Sequence, residues 1–462
     1  MKKITLILAL FAVACMAYSQ QYDDEKDFTV QVNTRQNTAK ITRYKGNKKT
    51  VNIPPAINGK TVVEISANAF QNKGIESVTI PDSVTVIGSL AFSANSLSAV
   101  TIPDNVTSIG NEAFFDNQLT SVIIGKSVTS IGNRAFRKNE IKSVTIPDKV
   151  TSIGGGVFEE NPLTSLSVAA GNTAFSVKDF LLLSKDGKKL IVCWGDAKSI
   201  TSVAIPDSVT SIGARAFDSY KITTITIPGS VTSIGDNAFY FNRLSSVTIP
   251  NSVTSIGNNA FSSNQLSAVT IGGGVTSIGD NAFSGNKLSA VTIPNGVKTI
   301  GTGAFNGNQI TSVNIPNSVT TIGDKAFSNN QISALNIGSG VTTIGADAFR
   351  KNQLISVMIP NSVTFIGKYA FAENKLSAVS IPNSDADIGD YAFWENRLTS
   401  IVIPDSVLSV GDYAFDKNQL NSIKIGSIHT EIFTNTFPGD FFTQRKGAGT
   451  YTFTGGKWNF SR

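Results

Sequence analysis

Phenylalanine returns every 22 residues along this chain, at positions 70, 92, 114, 136 and 158 and again at 217, 239, 261, 283, 305, 327, 349, 371, 393 and 415. Fifteen units of one fixed length are the signature of a solenoid, in which each unit is one coil that buries its apolar side chains against its neighbours. The unit from Leu244 to Gln265 shows the pattern. Leu244, Val247 and Ile249 lead to Pro250; Val253, Ile256 and Gly257 follow, then Ala260 and Phe261, then Asn264. These apolar spacings fit neither one helix face nor one long strand, so the chain must turn several times within each unit.

Each position has a physical role. Leu244, Val247 and Ile249 form a short strand that stacks in parallel on the next coil, and Pro250 ends it because it has no N–H to donate. Gly125, Gly272, Gly338 and Gly426 stand at that terminating position in four other units. Val253 and Ile256 make a second inward pair. Gly257 is expected to allow a backbone conformation that other residues resist, and Ala260–Phe261 to sit on a short helical or 3-10 turn opposite the sheet. Asn264 belongs to a column with Asn95, Asn117, Asn139, Asn161, Asn242, Asn286, Asn308, Asn330, Asn352, Asn374, Asn396 and Asn418. Their amides are placed to satisfy backbone groups at the turn between coils.

The pattern I-P-x-S-V-T-S-I-G-x-x-A-F-x-x-N closely resembles the BspA-like, treponemal type of leucine-rich repeat found in bacterial surface antigens, over about residues 65 to 437. The resemblance implies an extracellular protein associated with adhesion to host proteins or to other bacteria. The fold expected is a β-rich α/β solenoid of about 16 coils in a single elongated domain, with its parallel sheet rising about 4.8 Å per coil.

Two stretches depart from the period. Phe158 and Phe217 are 59 residues apart, one period plus 37, so the arrays at 64–168 and 200–437 flank an insertion at 169–199. Within it, Phe180–Ser184 and Lys189–Trp194 flank Lys185-Asp186-Gly187-Lys188, which reads as a β-hairpin around an Asp-Gly turn. The outer coils need covering, because they would otherwise expose core and unpaired strand edges. Residues 27–63, with two strand-patterned runs, are assigned to an N-terminal β cap, and residues 438–462 to a closing hairpin around Gly455-Gly456. Ile432 and Phe437 fit a decayed sixteenth unit.

Lys2 and Lys3 followed by the apolar run 4–14 read as a secretory signal peptide. Two processing routes are open: cleavage after Ser19, or cleavage after Ala14 with lipidation of Cys15 in the loose lipobox Ala12-Val13-Ala14-Cys15. Either leaves Cys193 as the sole mature-chain cysteine apart from a lipidated Cys15, so packing rather than a disulfide framework must hold the fold. No later segment approaches the roughly 20 apolar residues of a membrane span, and a membrane tether arises only through Cys15. The net charge of +6 is spread without a basic block, which argues against nucleic-acid binding.

Catalysis finds no support in the residues. One histidine, His429, rules out a conventional His-based triad or a multi-His metal site, and no metal or cofactor motif is present. Asp236, Asp280, Asp324, Asp390 and Asp412 all follow the repeat glycine and are read as solvated ladder positions rather than as ligands. The strand face carries small and hydroxylated residues such as Ser246, Thr248, Ala268 and Thr270, which suit a broad docking surface or an ice-ordering array.

Aromatic residues at variable positions mark the candidate partner-binding surface. Tyr369, Tyr391 and Tyr413 stand directly before Ala-Phe in three successive units, with Trp394 beside them and Lys368, Asp390 and Asp412 around them. Tyr and Trp bury large area at small entropic cost, which suits them to interfaces. Trp194, on the hairpin with Cys193, is read either as a binding lip or as a packed strand residue. The expected role is adhesin-like recognition of extracellular host or bacterial proteins; the alternative is a self-associating envelope protein without an external ligand. The intact mass of the exported protein tests the processing: it should correspond either to Gln20 as first residue or to a diacylglyceryl group on Cys15, and retention of Met1 would contradict both.

Overall fold

Most coils form two short strands, and the continuous ladder of each unit is built beside the repeat glycine, where coils approach closely. In the computed structural model, which describes residues 21–197, 199–426, 431–432, 436–437, 447–454 and 457–461, the chain divides into two compact units. These are residues 1–177 with 194–196, and residues 178–193 with 197–462. The processing site, Cys15, His429 and Gly455-Gly456 lie outside the described residues.

In the first unit the ladder runs through Lys60–Ile65, Val86–Ile87, Ser108–Ile109, Ser130–Ile131 and Ser152–Ile153, all parallel, with Ser130 opposite both Ser108 and Ser152. Thr38–Tyr44 continues it in parallel, and Phe28–Asn33 adds an antiparallel strand at the outside. The segment carrying Val-x-Ile pairs on another face, as Ala99–Thr101 with Ser121–Ile123 and Ser143–Ile146 with Ser165–Val168.

The second unit repeats the scheme from Ser211–Ile212 to Ser409–Val410, and its ladder begins on the inserted hairpin. Leu181–Ser184 and Lys189–Cys193 are antiparallel, Gly187 turns at φ +72°, and Lys189–Leu190 pair in parallel with Ser211–Ile212. The hairpin's second strand therefore occupies the place of a coil strand. At the other end Gly449–Thr454 pairs antiparallel with Ser422–Ile425 and with Lys457–Ser461.

One detail differs from expectation. The Ala-Phe segment is a hydrogen-bonded turn, and among the described residues the 3-10 helix is Glu25–Asp27, away from the repeats. Alternate donors of the turn leave for the next coil: the Phe261 N–H donates to the Ala282 carbonyl at 2.8 Å and the Asn259 N–H to the Asp280 carbonyl at 2.7 Å, while the Ala260 and Ser262 N–H groups close on Gly257 and Asn259 of their own coil. Donors given to the next coil cannot also make the successive bonds of a helix.

The phenylalanines form the spine of the core. Their rings stack at centroid distances of 4.9 to 5.9 Å from Phe70 to Phe158 in the first unit and 5.0 to 5.5 Å from Phe217 to Phe437 in the second. Phe437 thus supplies the ring of the decayed unit. Tyr44 stacks on Phe70 at 5.3 Å, extending the spine into the N-terminal segment that carries no repeat phenylalanine.

The asparagine column does the work expected of it. Asn308 is buried; its Nδ2 donates to the carbonyls of Phe283 and Phe305 at 3.0 and 3.1 Å, and its Oδ1 accepts the Leu288 N–H at 3.0 Å. A second ladder runs beside the repeat glycines. Asp236 Oδ1 accepts the Asn258 N–H at 2.7 Å, Asp280 Oδ1 that of Thr302 at 2.8 Å, Asp324 Oδ1 that of Ala346 at 2.7 Å and Asp390 Oδ1 that of Asp412 at 3.1 Å. These carboxylates tie coils together, a role beyond solvation.

The reason for the repeat glycine also differs from expectation. Gly257 does not have positive φ; a Cβ there would lie 2.6 Å from both the Asp236 nitrogen and the Gly235 carbonyl carbon of the preceding coil. Gly229, by contrast, has no atom within 4 Å of such a Cβ. Gly257→Ala should therefore destabilise by roughly 1–3 kcal/mol through overpacking against backbone, while Gly229→Ala should change little. Asn308→Ala should cost about 1–3 kcal/mol by orphaning buried backbone groups, against less than about 0.5 kcal/mol for Ala at the exposed Gln309. Denaturant melts of the four variants check both pairs.

Candidate functional site

Every coil has two positions where the backbone enters the left-handed region, one before Ala-Phe and one two residues after Phe. At the first, φ is +56° at Asn237 and +53° at Asn259 and Asn281; at the second it is +57° at Ser263 and +56° at Asn329. Side chains other than Gly, Asn and Asp strain the chain there by about 1–2 kcal/mol each. Bulky residues in this region are outliers.

Tyr369, Tyr391 and Tyr413 occupy the first position in consecutive coils, with φ of +56°, +57° and +57°. The common backbone conformation points the three rings the same way, and they stack at 4.7 and 4.9 Å between centroids. Trp394 meets Tyr369 and Tyr391 edge-on, at 6.3 Å from each. All four are half-buried, so part of each ring is available at the surface. The same coil forms elsewhere with asparagine in this position, so the fold does not require tyrosine.

Charge surrounds the rings. The Arg350 guanidinium lies 4.9 Å from the Tyr369 centroid and is held by Glu373 and Asp347, with Nε to Glu373 at 2.7 Å. Lys368 Nζ lies 5.5 Å from the Tyr391 centroid and 3.6 Å from Asp390, and Lys417 Nζ lies 4.3 Å from the Trp394 centroid. Cations over aromatic faces contribute about 0.5–1 kcal/mol at exposed sites and fix the rings further. Partial burial, the neighbouring phenols and the carboxylates of Asp390 and Asp412 push the Tyr391 hydroxyl above the ordinary tyrosine range.

The sequence reading therefore grouped these four residues as the structure does. Trp194 is a different matter: it is buried, 7% exposed, and Cys193 is 2% exposed. The binding-lip alternative for the hairpin is thus corrected in favour of packing, because a buried ring offers no area to a partner. Three residues escaped the sequence reading. Arg350 and Lys417 reach the cluster from other coils, and Phe241 is a fourth aromatic at positive φ, +53°, and is 61% exposed. Its signal was present, since Phe241 replaces the Ser or Gly of neighbouring units. Among the described residues no group of three or more His, Cys, Asp or Glu side chains could hold a metal ion, and no helix is long and apolar enough to cross a membrane.

The sequence profile of the BspA type leucine-rich repeat region (6 copies) matches residues 63–181, 193–308, 276–398 and 386–443. The chain belongs to this family. Solved structures similar to this BspA-type chain include the pneumococcal vaccine antigen PcpA, at 19% identity over 74% of this chain and 91% of that one, with a TM-score of 0.44. A leucine-rich repeat protein from Eubacterium ventriosum is 20% identical over 75% and 93%, TM-score 0.45, and a leucine rich cell surface protein from Faecalibacterium prausnitzii is 26% identical over 69% and 95%, TM-score 0.41. No curated protein matches the chain.

The stacked phenols of this BspA-type array give a direct test. A difference titration of wild type against Tyr391→Phe, followed by phenolate absorbance, should show a group ionising above the ordinary tyrosine midpoint. Because the folded value is raised, the neutral phenol's stabilising effect is present below the unfolded midpoint and is lost as pH rises through the folded one. The alkaline fall in melting temperature should accordingly be smaller for Tyr391→Phe than for wild type.

Proposed function

We propose that this protein is a non-enzymatic, adhesin-like binding protein that acts outside the cell, secreted or held at the surface. In this reading it recognises extracellular proteins of a host or of other bacteria. Membership of the BspA-type family supports a role in macromolecular recognition, and the lysine-led apolar start of the sequence supports export.

The observation that carries the binding surface is the stacking of Tyr369, Tyr391 and Tyr413 in consecutive left-handed positions, which other coils fill with residues as different as Asn237, Gly303, Arg215 and Lys325. Their two stacked contacts contribute about 0.5–1.5 kcal/mol each, yet every ring occupies a conformation that costs about 1–2 kcal/mol. Strained residues kept where a relaxed alternative exists concentrate at functional sites. With Trp394 they present aromatic edges and hydroxyls inside a ring of mixed charge, the composition of an interaction hot spot with a polar rim.

Capture of partners from host extracellular proteins and from bacterial surface extracts, followed by affinity measurement, tests this reading. Replacing Tyr369, Tyr391 and Tyr413 by Asn and Trp394 by Ser should leave the thermal melt close to wild type and weaken the captured interaction at least about tenfold. Asn relieves the backbone strain, and Ser262, Ser284 and Ser328 already occupy the position of Trp394 in other coils. A lowered melt with full affinity per folded molecule would make the column structural. Concentration-dependent filaments with no external partner would replace recognition by self-assembly.

A further inference from the structure

Phe241 is the second place where the repeat spends strain on an aromatic side chain, and it stands apart from the tyrosine column in kind. It occupies the other left-handed position of the coil, has φ +53° and is 61% exposed, the opposite of what a residue contributing to the core would show. Its counterparts in neighbouring coils are Ser219, Ser263 and Gly285. A large ring among small residues makes a wall, and beside it lies an open cavity of about 450 Å³ lined by Lys221, Arg243, Gln265, Ser219 and Ser263 as well as Phe241. That volume falls within the roughly 300–1,000 Å³ of small-ligand sites.

The chemistry of the lining is specific. Lys221 and Arg243 are adjacent members of one column, and neither makes an ion pair among the described residues, so two cations face the cavity without protein carboxylates to neutralise them. An anionic group fits them. Gln265 and the two serines add donors and acceptors, and Phe241 adds an apolar face.

The backbone, by contrast, is already committed. The N–H groups of Phe241, Ser263, Arg243 and Gln265 donate to the carbonyls of Ser262, Ser284, Ile222 and Leu244. The Ile222 N–H donates to Asn242 Oδ1 at 3.1 Å. An extended peptide is held chiefly by main-chain bonds to a free strand edge, which this cavity lacks. A rigid ring bearing hydroxyls and a carboxylate needs none: its C–H face lies on Phe241, its hydroxyls meet Gln265 and the serines, and its carboxylate meets Arg243 and Lys221.

We propose that this cavity binds a carboxylated sugar unit of an acidic glycan, stacked on Phe241 and charge-paired with Arg243 and Lys221. The site is independent of the tyrosine column and stands or falls separately from it. It gives the protein a glycan contact in addition to a protein one.

Isothermal titration of the purified full chain with an oligogalacturonate tests the proposal, with a malto-oligosaccharide of equal length as neutral control and poly-glutamate as acidic peptide control. Saturable binding of the oligogalacturonate is expected, weakened by added salt and stronger than either control. Phe241→Ser and the pair Lys221→Gln with Arg243→Gln should each reduce affinity at least about tenfold. Both variants install residues that the same columns already carry, at Ser219 and Ser263 and at Gln265 and Gln309, so their melts should match wild type. Circular dichroism melts confirm this before titration. Absence of saturable binding to wild type, or equal affinity in wild type and both variants, overturns the proposal. Poly-glutamate binding as tightly as the sugar, with the same dependence on Phe241, would assign the cavity to acidic peptides instead.

Discussion

The structure depends on one constraint: the turn of each coil carries inward-facing backbone groups that its own coil satisfies only in part. The carbonyl of Phe283 accepts from the amides of Asn286 and Asn308, one in its own coil and one in the next, while the Leu288 N–H donates to Asn308. Each buried amide thus closes its own turn and completes the turn of the coil before it. A buried polar group left unpaired costs about 1–3 kcal/mol, so a coil without its successor is a poor structure on its own. Cooperativity between neighbours, the defining energetic property of repeat arrays, follows from this exchange.

Close approach follows from the same exchange. Amide and carboxamide bonds of about 3 Å between coils require the backbones to meet, and the repeat glycine supplies the space, as at Gly257 against Asp236 and Gly235. The phenylalanine stack fills what remains of the interior at ring separations near 5 Å. Asp236, Asp280 and Asp324 add a further tie on the surface, using carboxylates that in other proteins serve chemistry.

A frame so fully specified leaves few positions free to vary, and these are where recognition can be written. The two left-handed positions of each coil point side chains outward and are tolerant in identity though not in strain. Asparagine and glycine sit there most easily. The four aromatic residues found there, Phe241, Tyr369, Tyr391 and Tyr413, are therefore departures from the template that the frame does not demand. Departure from local preference is where a repeat of this kind has room to carry function.

The sequence by itself determined the period, the inward apolar set, the asparagine ladder, the hairpin and the tyrosine column. All of these rest on residues repeated at fixed spacing, or on a turn dipeptide, and a repeat converts sequence spacing into spatial adjacency. Tertiary structure decided the rest, because it depends on what the neighbouring coil does. The Ala-Phe segment is a turn since alternate donors leave for the next coil. Gly257 is needed for contact with another coil rather than for its own φ, and Trp194 is buried rather than displayed. Phe241 shows the limit most clearly: its oddity was written in the sequence, but the strained backbone, the exposure and the two uncompensated cations beside it appear only when coils 22 residues apart are placed side by side.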